Sequence, residues 1–297
     1  MGRMGTTMSA YKKSARSRQG FTLVEMLVGV TVSMMVIALV FTSFILQRRV
    51  FEAQQRVNEM QQNVRTATDV LVHDLHMAGY GLKGIPPYKT GDWVDWVAGM
   101  TDNPMVIQGA GSAPDTVVVA GAFDDPVADL QTLATNRTTT LRVSSGQGSE
   151  FNTTDKKVIY IGRTETARIV GVAGDTLTIS IHPTLSKGLR YDYQPGTPIE
   201  LVRVVRYEIR NPVGVYPFEP HLIREMADET YTAEWHKMCA GNIEDLQITR
   251  NTHSVDLALT GRTSKPDRYY THPVTGDHFR RMDLTRRIQP RNARLWK

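Results

Sequence analysis

Met26–Leu46 is a run of 21 residues without a charge, and no other feature limits the fold of this chain so strongly. An α-helix rises about 1.5 Å per residue, so the run reaches about 31 Å, close to the hydrocarbon core of a bilayer at about 30 Å. It reads as a membrane-spanning helix. A cleaved secretory signal has a shorter apolar core that ends in a small-residue cleavage site. Here the small residue, Gly20, precedes the apolar run.

The flanking charges orient the span. Residues 1–20 carry five cations (Arg3, Lys12, Lys13, Arg16 and Arg18) and no acid. They account for the whole formal charge of +5, because the rest of the chain holds 30 cations against 30 acids. A basic segment before the span and a weaker bias after it predict a cytoplasmic N-terminus, with the body of the chain across the membrane. The balanced body argues against a general nucleic-acid binder. Glu25, one residue before the uncharged run, is costly there, and by default such a group marks function.

The helix is expected to continue past the bilayer. Between Phe21 and Ala78 there is no proline and one glycine, Gly29, while all 14 prolines come later. Val50, Val57, Val64 and Leu71, with Ala53, Met60, Ala67 and Leu75 beside them, form one apolar stripe at helical spacing. The opposite face holds the i,i+4 pairs Glu52/Arg56 and Arg65/Asp69. In "MAGYG" Gly79 stands where a C-terminal cap prefers glycine. The predicted helix has about 58 residues and a rise of about 87 Å. Residues 21–46 form its membrane half and 47–79 its amphipathic continuation.

Beyond it, the pattern turns to short branched or alternating runs. These are 116–121, 139–144, 157–162, 167–172, 176–181, 198–210, 221–226, 243–250, 254–261 and 278–290. "AGD" at 173–175 reads as a hairpin loop. The class is α+β, a long helix followed by a β-rich head over 80–297, with a candidate subdomain boundary near 144–156.

Little in the chain reads as catalytic. The single cysteine, Cys239, cannot form an internal disulfide or a thiolate metal site and is expected to be a small core side chain. His236 lies three residues before it, but no orienting third group accompanies them. His73 and His76 stand at i,i+3 without a third metal ligand. Asp124, Asp125 and Asp129 lack the regular ligand ladder of a calcium loop. "GAGSAP" (109–114) runs into Pro114 and a strand, so it is a turn and not a phosphate loop. Neither GxSxG nor HExxH occurs. No enzyme, cofactor or metal is expected. From His278 to Lys297 seven cations face one acid, Asp283. A strand with Met282, Leu284 and Ile288 on one side and Arg281, Asp283 and Arg287 on the other is favoured there. A nucleic-acid contact through Arg286, Arg287 and Arg291 is the less favoured reading.

"RQGFTLVEMLV" resembles the leader junction of type IV pilins and type II secretion pseudopilins. The resemblance implies that a membrane peptidase cuts after Gly20 and methylates Phe21, making residues 1–20 a cleaved leader. It implies that Glu25, fifth in the mature chain, is the assembly carboxylate meeting an N-terminal amine. The i,i+4 spacing and the helix dipole favour an acid at that position. "TATDVLVHDLHMAGYG" resembles the helix end of PilW-type minor pilins, with Leu–x–x–Asp–Leu–x–x–Ala–Gly–Tyr at 71–80. "GNIEDLQITR" and "FRRMDLTRRIQPRNARLW" resemble late strands of that group. The implied protein is a structural minor pilin taking part in pilus assembly. Its implied partners are the prepilin peptidase, major and other minor pilins and an inner-membrane assembly platform. It would sit in the inner membrane and then in the pilus, at or near the tip. A minor pseudopilin of the J kind and a tip adhesin that binds DNA or surfaces are the alternatives.

Overall fold

The computed structural model describes residues 20–82, 105–109, 114–153, 158–181, 187–210, 219–226 and 237–291. The helix α1 runs from Leu23 to Met77, 55 residues, slightly shorter than the stretch expected from sequence. The chain divides into two compact units, Met1–Ala53 and Gln54–Lys297.

In the first unit, α1 presents apolar side chains all round. Every described residue from Gly20 to Val50 is exposed, with Phe21 at 83% and Ile45, the least exposed large apolar residue, at 37%. α1 is the one helix among the described residues long and apolar enough to cross a membrane. Its hydroxyls fold back onto their own helix. Thr31 Oγ1 donates to Leu27 O at 3.1 Å, Ser33 Oγ to Gly29 O at 2.7 Å and Thr42 Oγ1 to Ala38 O at 2.8 Å. Such bonds satisfy polar groups where lipid offers no partner.

The second unit holds fourteen strands among the described residues. In chain order they are β1 (Met105–Gln108), β2 (Thr116–Gly121), β3 (Ala128–Asp129), β4 (Thr140–Arg142), β5 (Val158–Ile161), β6 (Glu165–Ala173) and β7 (Thr176–Ser180). There follow β8 (Pro198–Leu201), β9 (Arg203–Arg210), β10 (His221–Met226), β11 (Lys237–Gly241), β12 (Ile243–Arg250), β13 (Val255–Arg262) and β14 (Arg281–Ile288). Their pairings are antiparallel. The architecture is the expected α+β, type IV pilin-like combination of a long apolar N-terminal helix and a β-rich head.

Three sheets form. One has the order β1-β2-β9-β10-β11, a second β12-β13-β14, and the third β3-β8-β5-β6-β7-β4. The apolar stripe of α1 covers the first two. Val64, Ala67, Leu71 and Leu75 join Val117, Val119, Val205, Tyr207 and Leu222 of the first sheet in one core. The same core contains Leu246, Val255, Leu257, Leu259 and Ile288 of the second. Burial on the stripe starts at Met60, whereas Val50 is 57% exposed. Asp115 ties the two sheets together: its N–H donates to Leu246 O and its Oδ2 accepts from Ile248 N–H, both at 2.7 Å.

The third sheet closes on itself. Beyond β3, Leu130 bridges Val143, with Gln131 N–H donating to Arg142 O at 2.8 Å and Ser144 N–H to Asp129 O at 3.0 Å. The six strands therefore form a small barrel filled by its own core, including Leu130, Leu141, Ile159, Ile169, Leu177 and Ile199. The stretch 144–153, expected near a subdomain boundary, joins β4 to the next strands of this same barrel. The run 198–210, read from sequence as one strand, is two. Val202 stands between them, its N–H still donating to Val158 O of β5 at 2.9 Å, and the chain passes from the barrel in β8 to the first sheet in β9.

Gly121 at the end of β2 pairs directly with Arg203 at the start of β9. The barrel is thus an insertion between two adjacent strands, entering and leaving through positions that a short hairpin turn could occupy. At the junction, Ala122, Val158, Tyr160 and Val202 pack with Tyr80 and Leu82. The Tyr80 ring stacks edge-on against Tyr160 at 5.3 Å, and Thr166 Oγ1 donates to Gly81 O. Replacing residues 122–202 by an Asn-Gly turn should leave α1 docked. The expected losses are the aromatic pair, about 0.5–1.5 kcal/mol beyond its burial, the Thr166–Gly81 hydrogen bond, about 1 kcal/mol, the Asp124–Arg203 ion pair, and Phe123, which packs in the same core as Leu71 and Leu75. Amide exchange at Leu71 and Leu75 checks this, and collapse of their protection would show that the barrel is integral to the head.

Candidate assembly site at the helix N-terminus

The residues around the Gly20–Phe21 junction form a closed local pattern. Thr22 is the N-cap of α1 and Glu25 its third helical residue. Glu25 N–H donates to Thr22 Oγ1 at 3.2 Å, and Thr22 N–H donates back to Glu25 Oε2 at 3.0 Å. The Thr22 hydroxyl donates to the same Oε2 at 3.1 Å. This reciprocal exchange is a capping box, which satisfies two backbone donors that a helix start leaves open. It holds the carboxylate at the positive end of the helix dipole, on the residue that follows Phe21.

Gly20 has nothing within 4 Å of where a Cβ would lie, and its φ is outside the left-handed region. Neither packing nor backbone conformation in this fold calls for glycine at that position. Sequence reasoning passes over Thr22, although the spacing T-x-x-E before an apolar run is the signature of such a box.

A second polar constellation lies at the other end of α1. Asp74 is 2% exposed and accepts from the hydroxyl of Tyr207, itself fully buried. Arg224 Nε donates to Asp74 Oδ2 at 2.9 Å and reaches the Tyr207 oxygen at 3.1 Å. Tyr207 and Arg224 are cross-strand partners on β9 and β10. The three groups pin the helix to the first sheet. Burial, reinforced by the Asp74 charge, pushes the Tyr207 hydroxyl well above its ordinary range. Cys239 packs against the same core, and burial raises its thiol. It behaves as a core side chain, while His236 lies outside the described residues.

The pattern at 71–80 acquires a physical meaning residue by residue. Leu71, Leu75 and Ala78 are fully buried, Asp74 is the pin, and Gly79 sits at φ 77° with its N–H donating to Ala120 O at 2.8 Å. That left-handed conformation is one glycine adopts without strain. Tyr80 reaches the barrel.

The remaining candidates separate. His73 Nδ1 lies 3.0 Å from Asp74 Oδ1, whereas His76 Nδ1 lies 2.8 Å from Gln289 O, so the two imidazoles serve different partners. Among the described residues no group of three His, Cys, Asp or Glu could hold a metal ion. Asp124 pairs with Arg203 at 3.3 Å. Residues 110–113 of the "GAGSAP" stretch lie outside the described residues, and strand β2 follows.

The C-terminal cations are spread over several jobs. Arg287 forks onto Asp256 at 2.6 and 3.0 Å and holds that carboxylate below its usual value. Arg291 lies over the Tyr80 ring at 5.7 Å, and its N–H donates to His76 O at 2.9 Å. Arg286 is exposed opposite Leu257. The three are not gathered on one phosphate-binding face. Arg294, Trp296 and Lys297 lie outside the described residues.

Residues 15–41 match the prokaryotic N-terminal methylation motif. No curated protein and no solved structure matches the chain. The motif is a type IV pilin-like prepilin signal, and with the fold it supports the class of type IV pilins and pseudopilins. It implies processing by a prepilin peptidase and association with pilins and the membrane assembly machinery, and it points to a structural role. With the one long apolar helix among the described residues it is consistent with a single-pass anchor in the inner membrane.

Proposed function

We propose that the chain is a minor pilin of the PilW type that takes part in starting a type IV pilus. The peptidase cuts after Gly20, removing residues 1–20, and Phe21 becomes the methylated N-terminus. Residues 21–46 are stored in the bilayer, 47–79 continue the helix, and the head (80–297) faces the periplasm until the subunit enters the filament, at or near its tip. Cleavage leaves a cationic amine at the head of an apolar helix. Glu25 is the group that neutralises it, its own or a neighbour's.

The observation that carries this reading is the capping box within the matched motif. It holds Glu25 Oε2 on Thr22, one residue from the future amine, and keeps the carboxylate satisfied while the helix waits in lipid. A glycine at position 20 that the fold does not require supports recognition by an outside enzyme. The pattern at 71–80, with its buried Asp74 and left-handed Gly79, supports the PilW type over the J-type pseudopilin.

Mass spectrometry of the native N-terminus tests the processing step. The expected species begins at N-methyl-Phe21, and Gly20→Glu should retain the leader. An intact leader in wild-type cells sinks the proposal. Deleting the gene should abolish surface pili and spare export of folded enzymes; the reverse outcome assigns the chain to secretion.

A further inference from the structure

The loop between β13 and β14, residues 263–280, is exposed yet densely hydrogen-bonded. Thr263 N–H donates to Arg280 O at 2.9 Å, Asp267 N–H to His278 O at 2.7 Å and His272 N–H to Asp277 O at 2.7 Å. Arg280 forks onto Asp267 at 2.9 and 3.2 Å and lies over the Tyr270 ring at 4.9 Å. Arg281 binds both Asp277, at 2.6 and 2.7 Å, and Glu244. The acids of the loop are therefore consumed internally. Lys265 and Arg268 are exposed, and no acid among the described residues pairs with either. Beside them Tyr269 is 81% and Val274 86% exposed, the highest values for large apolar residues among the described residues of the second unit.

The direction of the loop follows from contacts along α1 within this unit. Just beyond β14, Arg291 N–H reaches His76 O near the end of the helix. At the other end of the hairpin Gly261 lies against Val64 and Met60, and past it the Asp267 carboxylate feels the charge of Arg56. The loop thus lies beside the first turns that α1 contributes to the unit. Arg56 comes only ten residues of chain after Leu46, the end of the uncharged run.

We propose that the 263–280 loop docks on the bilayer from which its own helix emerges, with Tyr269 and Val274 at headgroup level and Lys265 and Arg268 on acidic phospholipid headgroups. The inference rests on the membrane-anchored reading of α1. Tyrosine is favoured at membrane interfaces because its ring is apolar and its tip polar. Each cation near an anionic surface favours the docked state about five-fold. Docking holds the head against the membrane until the helix is withdrawn into a filament.

The test uses the full chain in nanodiscs rich in phosphatidylglycerol, with Cys239→Ala so that one introduced cysteine carries a nitroxide. Labels are placed at Val274→Cys, at Val36→Cys within the span, and at Leu133→Cys on the barrel. Depth is read from the relative access of oxygen and a nickel chelate. The expected result is headgroup depth at 274, a deep reading at 36 and an aqueous one at 133. Lys265→Glu with Arg268→Glu should lower the ratio of docked to undocked heads by at least about 30-fold. An aqueous reading at 274 beside a deep one at 36 overturns the docking and leaves the anchor standing. An aqueous reading at 36 removes the anchor and the docking with it. Occlusion of 274 that persists in detergent assigns the surface to a protein neighbour and overturns the lipid assignment.

Discussion

Asp74→Ala is expected to destabilise the head by about 3–5 kcal/mol, the cost of removing one partner from a buried ion pair. Asp74 is 2% exposed, and its carboxylate is the acceptor for both Tyr207 and Arg224. Removing it leaves a guanidinium and a phenol facing an apolar helix, with no water to replace the lost acceptor. Tyr207→Phe keeps the ion pair and should cost less, about 1–3 kcal/mol. Urea unfolding of the detergent-solubilised chain measures both. If Asp74→Ala costs less than Tyr207→Phe, the pin is not what docks the helix.

Gly261→Ala should cost about 1–3 kcal/mol, because a core filled beyond its volume forces side chains off their rotamers or moves backbone. A Cβ at Gly261 would stand 2.2 Å from Val64 Cγ2, while the next nearest atoms are 3.6 Å away. The obstacle is therefore one methyl group. Val64→Ala removes it, so the double variant should be more stable than the two single losses added together. A coupling of about 0.5–3 kcal/mol is expected from a double-mutant cycle on residues in contact. Strict additivity would mean that α1 does not approach the second sheet this closely.

The helix is legible in the sequence because its signals are local: an uncharged run, no proline, and an apolar stripe that the structure buries from Met60 onward. The longer strands are legible for the same reason. Strands β1, β3 and β11 carry no comparable pattern and escape a reading of the sequence. β1 and β11 are edge strands of four and five residues, and β3 has two, so their pairing is supplied by neighbours. At the candidate site, the T-x-x-E spacing is available in four consecutive residues. The role of Asp74 is less accessible. It continues the heptad series Ala53, Met60 and Ala67, an acid where an apolar residue is expected, but its partners stand 133 and 150 residues away. Likewise Arg287 looks available for phosphate in the sequence, yet Asp256, 31 residues earlier, meets it across the strand pair.

The inserted barrel has a consequence for the order in which the head folds. Gly121 and Arg203 must meet for β2 to pair with β9. If the intervening chain were loose, closing that loop would carry an entropic penalty that grows with its length, about 0.6 kcal/mol per doubling. A barrel already folded, with Ala128 of β3 paired to Ile199 of β8, brings the two ends together in advance. Its contacts are more local than those of the sheet it interrupts, and local contacts form faster. The barrel is therefore the natural nucleus, and the sheet that receives α1 assembles around it. The helix, first in the chain, finds its seat only when that sheet is complete.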